Sequence, residues 1–180
     1  MCGIVGGVSD RNVLPILIEG LKRLEYRGYD SAGVAFRENS KISLIKAKGR
    51  VLDLENKLPE KKIKSNQGIA HTRWATHGVP SEKNAHPQIS ENKIFVVHNG
   101  IIENHAKRRA ELEDKGHKFA SETDSEVLAH LFLACFNSGM DARKAGAHVL
   151  SQIEGTFAFA AMHVDQPDVM IVGRNASPLA

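Results

Sequence analysis

The predicted strand over residues 156–164 constrains the fold more than any other stretch of this sequence. Within it, Phe157 and Phe159 alternate with Ala158 and Ala160, so both faces of the strand are apolar. An apolar sheet face has to be buried against another layer of secondary structure. A sheet that contains this strand must therefore be covered on both sides.

The other predicted elements indicate what those layers are. Apolar runs and alternation predict strands at residues 3–8, 34–37, 42–47, 67–72, 93–98 and 169–173. Helical spacing is found at residues 12–26, 51–58, 104–116, 127–136 and 141–153. Because the predicted strands follow one another as hairpins and the predicted helices occur in separate runs, we predict an α+β fold. Two mainly antiparallel sheets would pack face to face, with helices outside them.

Composition narrows the class of protein. The 180 residues suit one domain, and a net charge of only +3 gives no sign of a nucleic-acid partner. Two cysteines cannot form a disulfide framework. The sequence has no signal peptide and no apolar run of the roughly 18 residues that a membrane span needs. We therefore predict a soluble, cytoplasmic protein that contacts no membrane.

The N-terminus, Met1-Cys2-Gly3-Ile4-Val5-Gly6, has the clearest chemical potential. Removal of Met1, which is usual before a small residue, would leave a thiol and an α-amine on the same residue, Cys2. An α-amine has a pKa near ~7.7 to 8.0, which makes it a better base at neutral pH than lysine. It could take the thiol proton and return it to a leaving group. The alternative is a cysteine that follows Met1 by chance.

Polar residues gather in three stretches, at residues 71–78, 98–104 and 121–124. Arg73 offers a planar fork that can bind a carboxylate through two hydrogen bonds, and Asp124 can pair with an ammonium group. Together these two side chains suit the two charged ends of an α-amino acid.

The second and third stretches also carry specific predictions. Asn99 and Gly100 are predicted to lie in a loop that directly follows a strand. The Asn99 side-chain amide and the Gly100 backbone N–H could form an oxyanion hole, in which losing one donor typically costs ~10² to 10³ in rate. Thr123 is predicted to be the N-cap of a capping box with Glu126, which places Asp124 at the first position of the helix.

Plainer alternatives exist for these residues. Arg73 could form a surface ion pair, and Asp124 could be a simple helix cap. Trp74 lies in the long loop predicted over residues 73–88, where it could be a buried anchor or a mobile lid. A metal site is disfavoured, because no CxxC or HExxH spacing connects Cys2 with the four loop histidines, which are His71, His77, His86 and His98.

Taken together, the motifs resemble those of the glutaminase domains of class II glutamine amidotransferases, and most closely those of the glucosamine-6-phosphate synthases. The resemblance covers essentially the whole chain. It rests on residues 1–6, 26–33, 71–78 with 80–87, 98–104 and 121–124. It implies a four-layer αββα sandwich of the N-terminal nucleophile hydrolase type.

The resemblance also implies roles for individual residues. Cys2 would attack the side-chain amide of L-glutamine and form a thioester, with no cofactor and no metal. The other implied roles are the oxyanion hole for Asn99 and Gly100, carboxylate binding for Arg73, α-amine binding for Thr76, His77 and Asp124, and support or gating for Arg27, Trp74 and His86.

The family enzymes continue well beyond the length of this chain. Residues 1–180 are therefore expected to be a glutaminase domain that is truncated at its C-terminus and lacks the sugar-phosphate isomerase domains. In a full-length enzyme, expected to be a homodimer, the ammonia would serve the synthesis of glucosamine 6-phosphate from fructose 6-phosphate.

Three other functions remain open from the sequence. The chain could be the glutaminase domain of another class II amidotransferase. It could be a general amide or peptide hydrolase, although Arg73 and Asp124 favour a free amino acid. It could also be a non-catalytic module that binds a partner.

Overall fold

The structure, a computed structural model, describes residues 2–60, 63–74 and 78–177. The strands are Gly3–Val8 (β1), Ser31–Glu38 (β2), Lys41–Lys48 (β3), Gln67–Arg73 (β4), Gln88–Ser90 (β5), Ile94–Ile102 (β6), Gly155–His163 (β7) and Ile171–Asn175 (β8). The helices are Leu14–Leu24 (α1), Val51–Glu55 (α2), His105–Asp114 (α3), Glu126–Asn137 (α4) and Ala142–Gln152 (α5), and a 3-10 turn, Glu25–Arg27, follows α1.

The strands form two four-stranded sheets in which every neighbouring pair is antiparallel. The first sheet has the order β1-β4-β2-β3. The second sheet has the order β5-β6-β7-β8. This arrangement confirms the predicted pair of antiparallel sheets.

Three apolar clusters separate four layers. One cluster joins α1 and α2 to the outer face of the first sheet. A second lies between the sheets and includes Ile69 and Ala160. The third joins α4 and α5 to the outer face of the second sheet, where Phe157 and Phe159 are buried. The strand β7 is thus covered on both faces, as predicted, and the layers follow the order αββα.

Helix α1 illustrates how the sequence produces the outer layer. Leu14, Leu17, Ile18 and Leu21 recur at helical spacing and are all buried against the first sheet. Pro15 lies in the first turn, where its missing N–H breaks no helical hydrogen bond. Burial of each of the four leucine and isoleucine side chains stabilises the fold by about 1.5 to 3 kcal/mol.

Two strands extend into residues that were predicted to be loop. Strand β6 continues past the predicted end at His98 and runs through Asn99 to Ile102. Strand β2 begins at Ser31 rather than at Val34. Both loop predictions were wrong, because polar residues and glycines interrupt the apolar pattern while the backbone still pairs with its neighbours.

The predicted capping box at the start of α4 was also wrong. The helix begins at Glu126, and its N-cap residue, Ser125, makes no side-chain capping hydrogen bond. The Glu126 carboxylate accepts hydrogen bonds from the backbone N–H groups of Ala120 and Ser121 instead. Asp124 precedes the helix, so its carboxylate does not occupy the first helical position.

No helix in the described part of the chain is both long and apolar enough to cross a membrane. Cys135 is buried in α4, as the sequence predicted.

Candidate functional site

The predicted site residues converge on one cavity of about 570 Å³. Thr76 and His77 lie outside the described residues. The other eight residues predicted for the site all line the cavity, and they are Cys2, Arg27, Arg73, Trp74, His86, Asn99, Gly100 and Asp124. They come from both sheets and the residues next to them, from the 3-10 turn after α1, and from the segments before β5 and α4, so the fold brings together residues that are distant in the sequence.

A larger depression of about 1250 Å³ lies beside α1 and the segment between α2 and β4. Its described lining contains neither cysteine nor histidine, and its charged residues are of both signs. The described lining of the depression thus offers neither a thiol nor an imidazole, whereas the smaller cavity contains Cys2 and the predicted site residues and is the candidate active site.

Cys2 is held at the cavity by the start of β1. Gly3 pairs with Thr72 of β4, and a Cβ atom added to Gly3 would come within 2.6 Å of Leu24 Cδ1. Glycine at this position therefore lets the strand lie close against Leu24 of α1. The Cys2 Sγ accepts a hydrogen bond from the backbone N–H of Trp74 at 3.2 Å.

The Cys2 thiol needs a base to become a nucleophile. Burial raises the pKa of the thiol, although the hydrogen bond to the Trp74 backbone acts in the opposite direction. The thiol is therefore protonated at neutral pH, and a nucleophilic thiolate requires a proton acceptor. The predicted acceptor is the α-amine that removal of Met1 would expose on Cys2, and this role stays a prediction.

Asn99 and Gly100 face Cys2 from β6 in the second sheet. The Asn99 Nδ2 lies 3.4 Å from the Cys2 carbonyl oxygen, so its amide nitrogen points toward Cys2. Gly100 has a φ of +112°, and a Cβ at this position would overlap the Thr156 carbonyl oxygen of β7. Only glycine fits both constraints.

Arg73 and Asp124 are both buried, with 3% of each residue's surface exposed. The Arg73 Nη2 donates to the Gly78 carbonyl at 3.1 Å, and its Nη1 lies 3.8 Å from Asp30 Oδ1. The Asp124 Oδ2 accepts a hydrogen bond from the Ile102 backbone N–H at 2.9 Å. The alternatives of a surface ion pair and a simple helix cap are therefore wrong.

Trp74 lies at the rim of the cavity and is 52% exposed. Its ring packs directly on Gly28, where an added Cβ would overlap the indole. The alternative of a buried anchor is therefore wrong. Arg27 lines the same cavity, and its Nε donates to the Tyr26 hydroxyl at 3.3 Å.

The sequence analysis assigned no role in the site to several polar residues around the cavity. Ser125 lines the cavity, and its Oγ lies 2.7 Å from the Nδ1 of His98. Asp30 approaches Arg73, and His71 lies behind Asn99 with its Nε2 2.8 Å from Asn99 Oδ1. The available signal for His71 was a polar residue two positions from Ile69, which places both on the same face of β4.

The described histidines do not assemble a metal site. Across residues 2–60, 63–74 and 78–177, no group of three or more His, Cys, Asp or Glu residues could hold a metal ion. Burial lowers the pKa of His71 to about 3, and burial also lowers the pKa of His86 well below 6.5. Both imidazoles are therefore neutral at physiological pH.

Comparison with known proteins gives a consistent family. The model of the glutamine amidotransferase domain matches residues 71–179. The glutamine–fructose-6-phosphate aminotransferase (isomerizing) of Acinetobacter baylyi is 49% identical over 179 residues, which cover 99% of this chain and 29% of the relative. The enzyme of the same name from Mesorhizobium japonicum is 48% identical over 180 residues, which cover 100% of this chain and 30% of that protein. This chain therefore spans less than a third of the length of these relatives.

Solved structures give the same fold. The glutamine phosphoribosylpyrophosphate amidotransferase of B. subtilis superposes with a TM-score of 0.75 at 27% identity, over 91% of this chain and 35% of the other. A structure described as the allosteric regulatory enzyme of purine biosynthesis gives a TM-score of 0.71 at 30% identity, over 89% of this chain and 34% of the other. These neighbours confirm the αββα sandwich that the sequence predicted.

Proposed function

The chain belongs to the glutamine amidotransferase family, and on that premise we propose that it hydrolyses the side-chain amide of L-glutamine to glutamate and ammonia. The observation that carries the proposal is a single cavity that contains Cys2, the Asn99-Gly100 pair, Arg73 and Asp124. These groups provide a nucleophile, oxyanion donors and opposite charges for the two ends of an amino acid.

The substrate would be selected by its charged ends. The guanidinium of Arg73 would bind the α-carboxylate, because its planar donors match the two carboxylate oxygens. The carboxylate of Asp124 would bind the α-ammonium. Thr76 and His77, which precede Gly78, would assist at this end of the substrate. With both ends held, the side-chain amide would extend toward Cys2, and a peptide-linked glutamine would lack both charges.

Hydrolysis would proceed in two steps. In the first, the α-amine takes the thiol proton of Cys2, and Sγ attacks the amide carbon to form a tetrahedral oxyanion. Donors from Asn99 and Gly100 stabilise that charge. The C–N bond then breaks, the amine returns the proton to the leaving nitrogen, and ammonia departs from a thioester. In the second step, water attacks the thioester and releases glutamate and the thiol.

Arg27, Trp74 and His86 would shape and close the site. Trp74 is exposed at the rim and contacts Gly28, a position from which its ring could cover bound glutamine and gate the passage of ammonia. Closure would exclude bulk water while the thioester forms.

The role of the chain in a longer enzyme is a further part of the proposal. We infer that residues 1–180 are the glutaminase domain of an enzyme like the relatives, of which they cover about 30%. A C-terminal sugar-phosphate isomerase domain would use the ammonia to make glucosamine 6-phosphate from fructose 6-phosphate, within a homodimer. The 180-residue chain alone is expected to release ammonia from glutamine and to make no amino sugar.

The test is glutamine hydrolysis by the purified 180-residue chain, measured as glutamate and ammonia. We expect activity in the wild type, loss of activity by about 10³-fold or more in Cys2→Ala, and an unchanged rate in Cys135→Ala, the matched control. Equal turnover of glutamine and of a doubly blocked glutamine peptide would instead support a general amide hydrolase. A folded chain with no activity would support the non-catalytic alternative.

A further inference from the structure

His71 lies behind the cavity rather than in its lining. It is in β4, on the face that also carries Ile69, so its side chain points into the space between the two sheets. It is completely buried. From the first sheet it reaches across to Asn99 in the second sheet, with 2.8 Å between His71 Nε2 and Asn99 Oδ1.

The hydrogen bonds around Asn99 fix which atoms donate. The Cys2 carbonyl oxygen can only accept, so the Asn99 atom that approaches it is the Nδ2 amide nitrogen. The other amide atom, Oδ1, also can only accept, so His71 must present a protonated Nε2. Within the described residues, His71 Nδ1 has no hydrogen-bond partner, which agrees with a neutral ring protonated at Nε2.

We propose that His71 is a positioning residue for the hydrolysis proposed above, because it holds Asn99 Oδ1 and thereby keeps the Asn99 N–H groups directed at the site of the developing oxyanion. An asparagine amide that rotated by half a turn would present its oxygen to that site. An oxygen there would repel the negative charge that an oxyanion hole must stabilise. The inference rests on the proposed function of Cys2 and Asn99.

The surroundings of His71 keep its ring in one state. His86 packs against it with 4.3 Å between the ring centroids. Burial opposes a charge on His71, and so do the nearby His98 and Arg73, and together they outweigh the interactions with Asn99 and with the His98 backbone, which favour the charge and raise the pKa. The ring therefore donates as a neutral imidazole across the working range of pH, and its donor does not depend on a titration.

Two substitutions separate the hydrogen bond from the presence of a polar side chain. His71→Gln places an amide N–H near the position of Nε2 and can still donate to Asn99. His71→Asn is shorter and cannot reach. Because an oxyanion donor acts in the transition state, we expect His71→Asn to lower kcat by about 10- to 10²-fold with less than about a twofold change in KM. We expect His71→Gln to restore most of the rate.

A double-mutant cycle tests whether His71 acts through Asn99. In an Asn99→Ala background, adding His71→Asn is expected to cost no more than about twofold in kcat, because there is no amide left to orient. An equal further loss in that background would overturn the inference. So would a wild-type kcat in His71→Asn, or a loss in His71→Gln as large as in His71→Asn.

A measurement on the wild-type chain covers the case in which a variant does not fold. Nitrogen NMR of histidine-labelled protein is expected to show His71 neutral, protonated at Nε2 and unprotonated at Nδ1, between about pH 5 and 9. A proton on Nδ1, or a titration in that range, would contradict the inference. A wild-type chain that does not hydrolyse glutamine would overturn the proposed function itself, whereas active wild type with insensitive His71 variants would overturn this inference alone.

Discussion

At the scale of single residues, the fold buries two side chains of opposite charge, and neither belongs to a surface ion pair. Arg73 and Asp124 are 3% exposed, although their residue types are seldom fully buried. The described contacts of Arg73 are with the Gly78 carbonyl and the Asp30 carboxylate, and those of Asp124 are with the Ile102 N–H and the Ser125 hydroxyl. Burying a charge is costly, so two buried side chains of opposite charge at one cavity are typical of a functional site.

Replacing Arg73 by lysine tests this interpretation of the cavity. Lysine keeps the positive charge but loses the planar pair of donors, so we expect KM for glutamine to rise by about 10-fold or more with a smaller change in kcat. Arg23→Lys is the matched control, because the Arg23 side chain is 79% exposed on α1. Saturation kinetics on both variants give the answer, and equal KM values for Arg73→Lys and wild type would contradict the assignment.

At the scale of elements, β6 is the strand that combines structure and chemistry. Its apolar residues up to Val97 pack in the core. Asn99 and Gly100, which come later in the strand, line the cavity. Gly100 lets the strand adopt a positive φ while it still pairs with Phe157 of β7. Gly100 is thus needed for the backbone conformation of β6, and it also lines the candidate site.

A comparison of two glycines isolates the steric part of this requirement. Gly139 also has a positive φ, of +82°, but no described atom lies within 4 Å of a Cβ added there. We expect Gly139→Ala to lower the free energy of unfolding by about 1 to 2 kcal/mol, the cost of the backbone conformation. Gly100→Ala adds an overlap with the Thr156 carbonyl, so its loss is expected to be clearly larger in denaturant titrations. Equal losses would contradict the close packing of β6 on β7.

Helix α4 positions the segment that carries Asp124. The Glu126 carboxylate accepts from the backbone N–H groups of Ala120 and Ser121 and from the Ser121 hydroxyl. Burial would raise the pKa of Glu126, but the His130 ring, whose Nε2 lies 3.5 Å from Glu126 Oε1, and the hydrogen bonds from Ala120 and Ser121 outweigh it and lower the pKa to about 2. The charged carboxylate therefore stabilises the folded state.

Replacing Glu126 by glutamine is expected to lower the free energy of unfolding at pH 7 by about 2 to 3 kcal/mol, because buried N–H groups lose a charged acceptor. Glu113→Gln is the matched control, since Glu113 pairs with Arg109 at the surface and is expected to contribute little. Denaturant titrations of both variants measure the effect.

The difference in the free energy of unfolding between wild type and Glu126→Gln should also depend on pH, with a definite sign. The pKa of Glu126 is about 2 in the folded chain and 4.5 as its ordinary value, so the unfolded chain binds more protons between these values. The contribution of Glu126 is complete above pH 4.5 and is lost as the pH falls toward 2. The stability gap between wild type and Glu126→Gln should therefore shrink in that window, and a gap that stays constant would contradict the assignment.

These elements also show where the sequence was informative. The layers were predictable, because apolar alternation in strands such as β7 and helical spacing in α1 record burial directly. Strand residues such as Ser31 and Asn99 were predicted to be loop, because polar residues and glycines at these positions break the apolar pattern. The capping box at Thr123 failed for another reason: backbone groups at Ala120 and Ser121 competed for Glu126, and such tertiary contacts leave no local signal.

At the scale of the whole molecule, the candidate site depends on how the two sheets pack. Cys2 and Arg73 belong to the first sheet and its flanks, whereas Asn99 belongs to the second. The buried Arg37 ties the sheets together at a distance from the cavity, because its guanidinium donates to the carbonyl groups of His163 and Val164. The αββα packing therefore sets the distance between the nucleophile and the oxyanion donors.

The central claim is that Cys2 is a nucleophile in a site that recognises glutamine. The most direct measurement is the intact mass of the chain before and after treatment with a diazo-ketone analogue of glutamine. We predict a starting mass without Met1 and one adduct, mapped to Cys2 and prevented by added glutamine, with Cys135 unmodified as the internal control. A chain that retains Met1 and forms no adduct, or an adduct that glutamine does not prevent, would contradict the account.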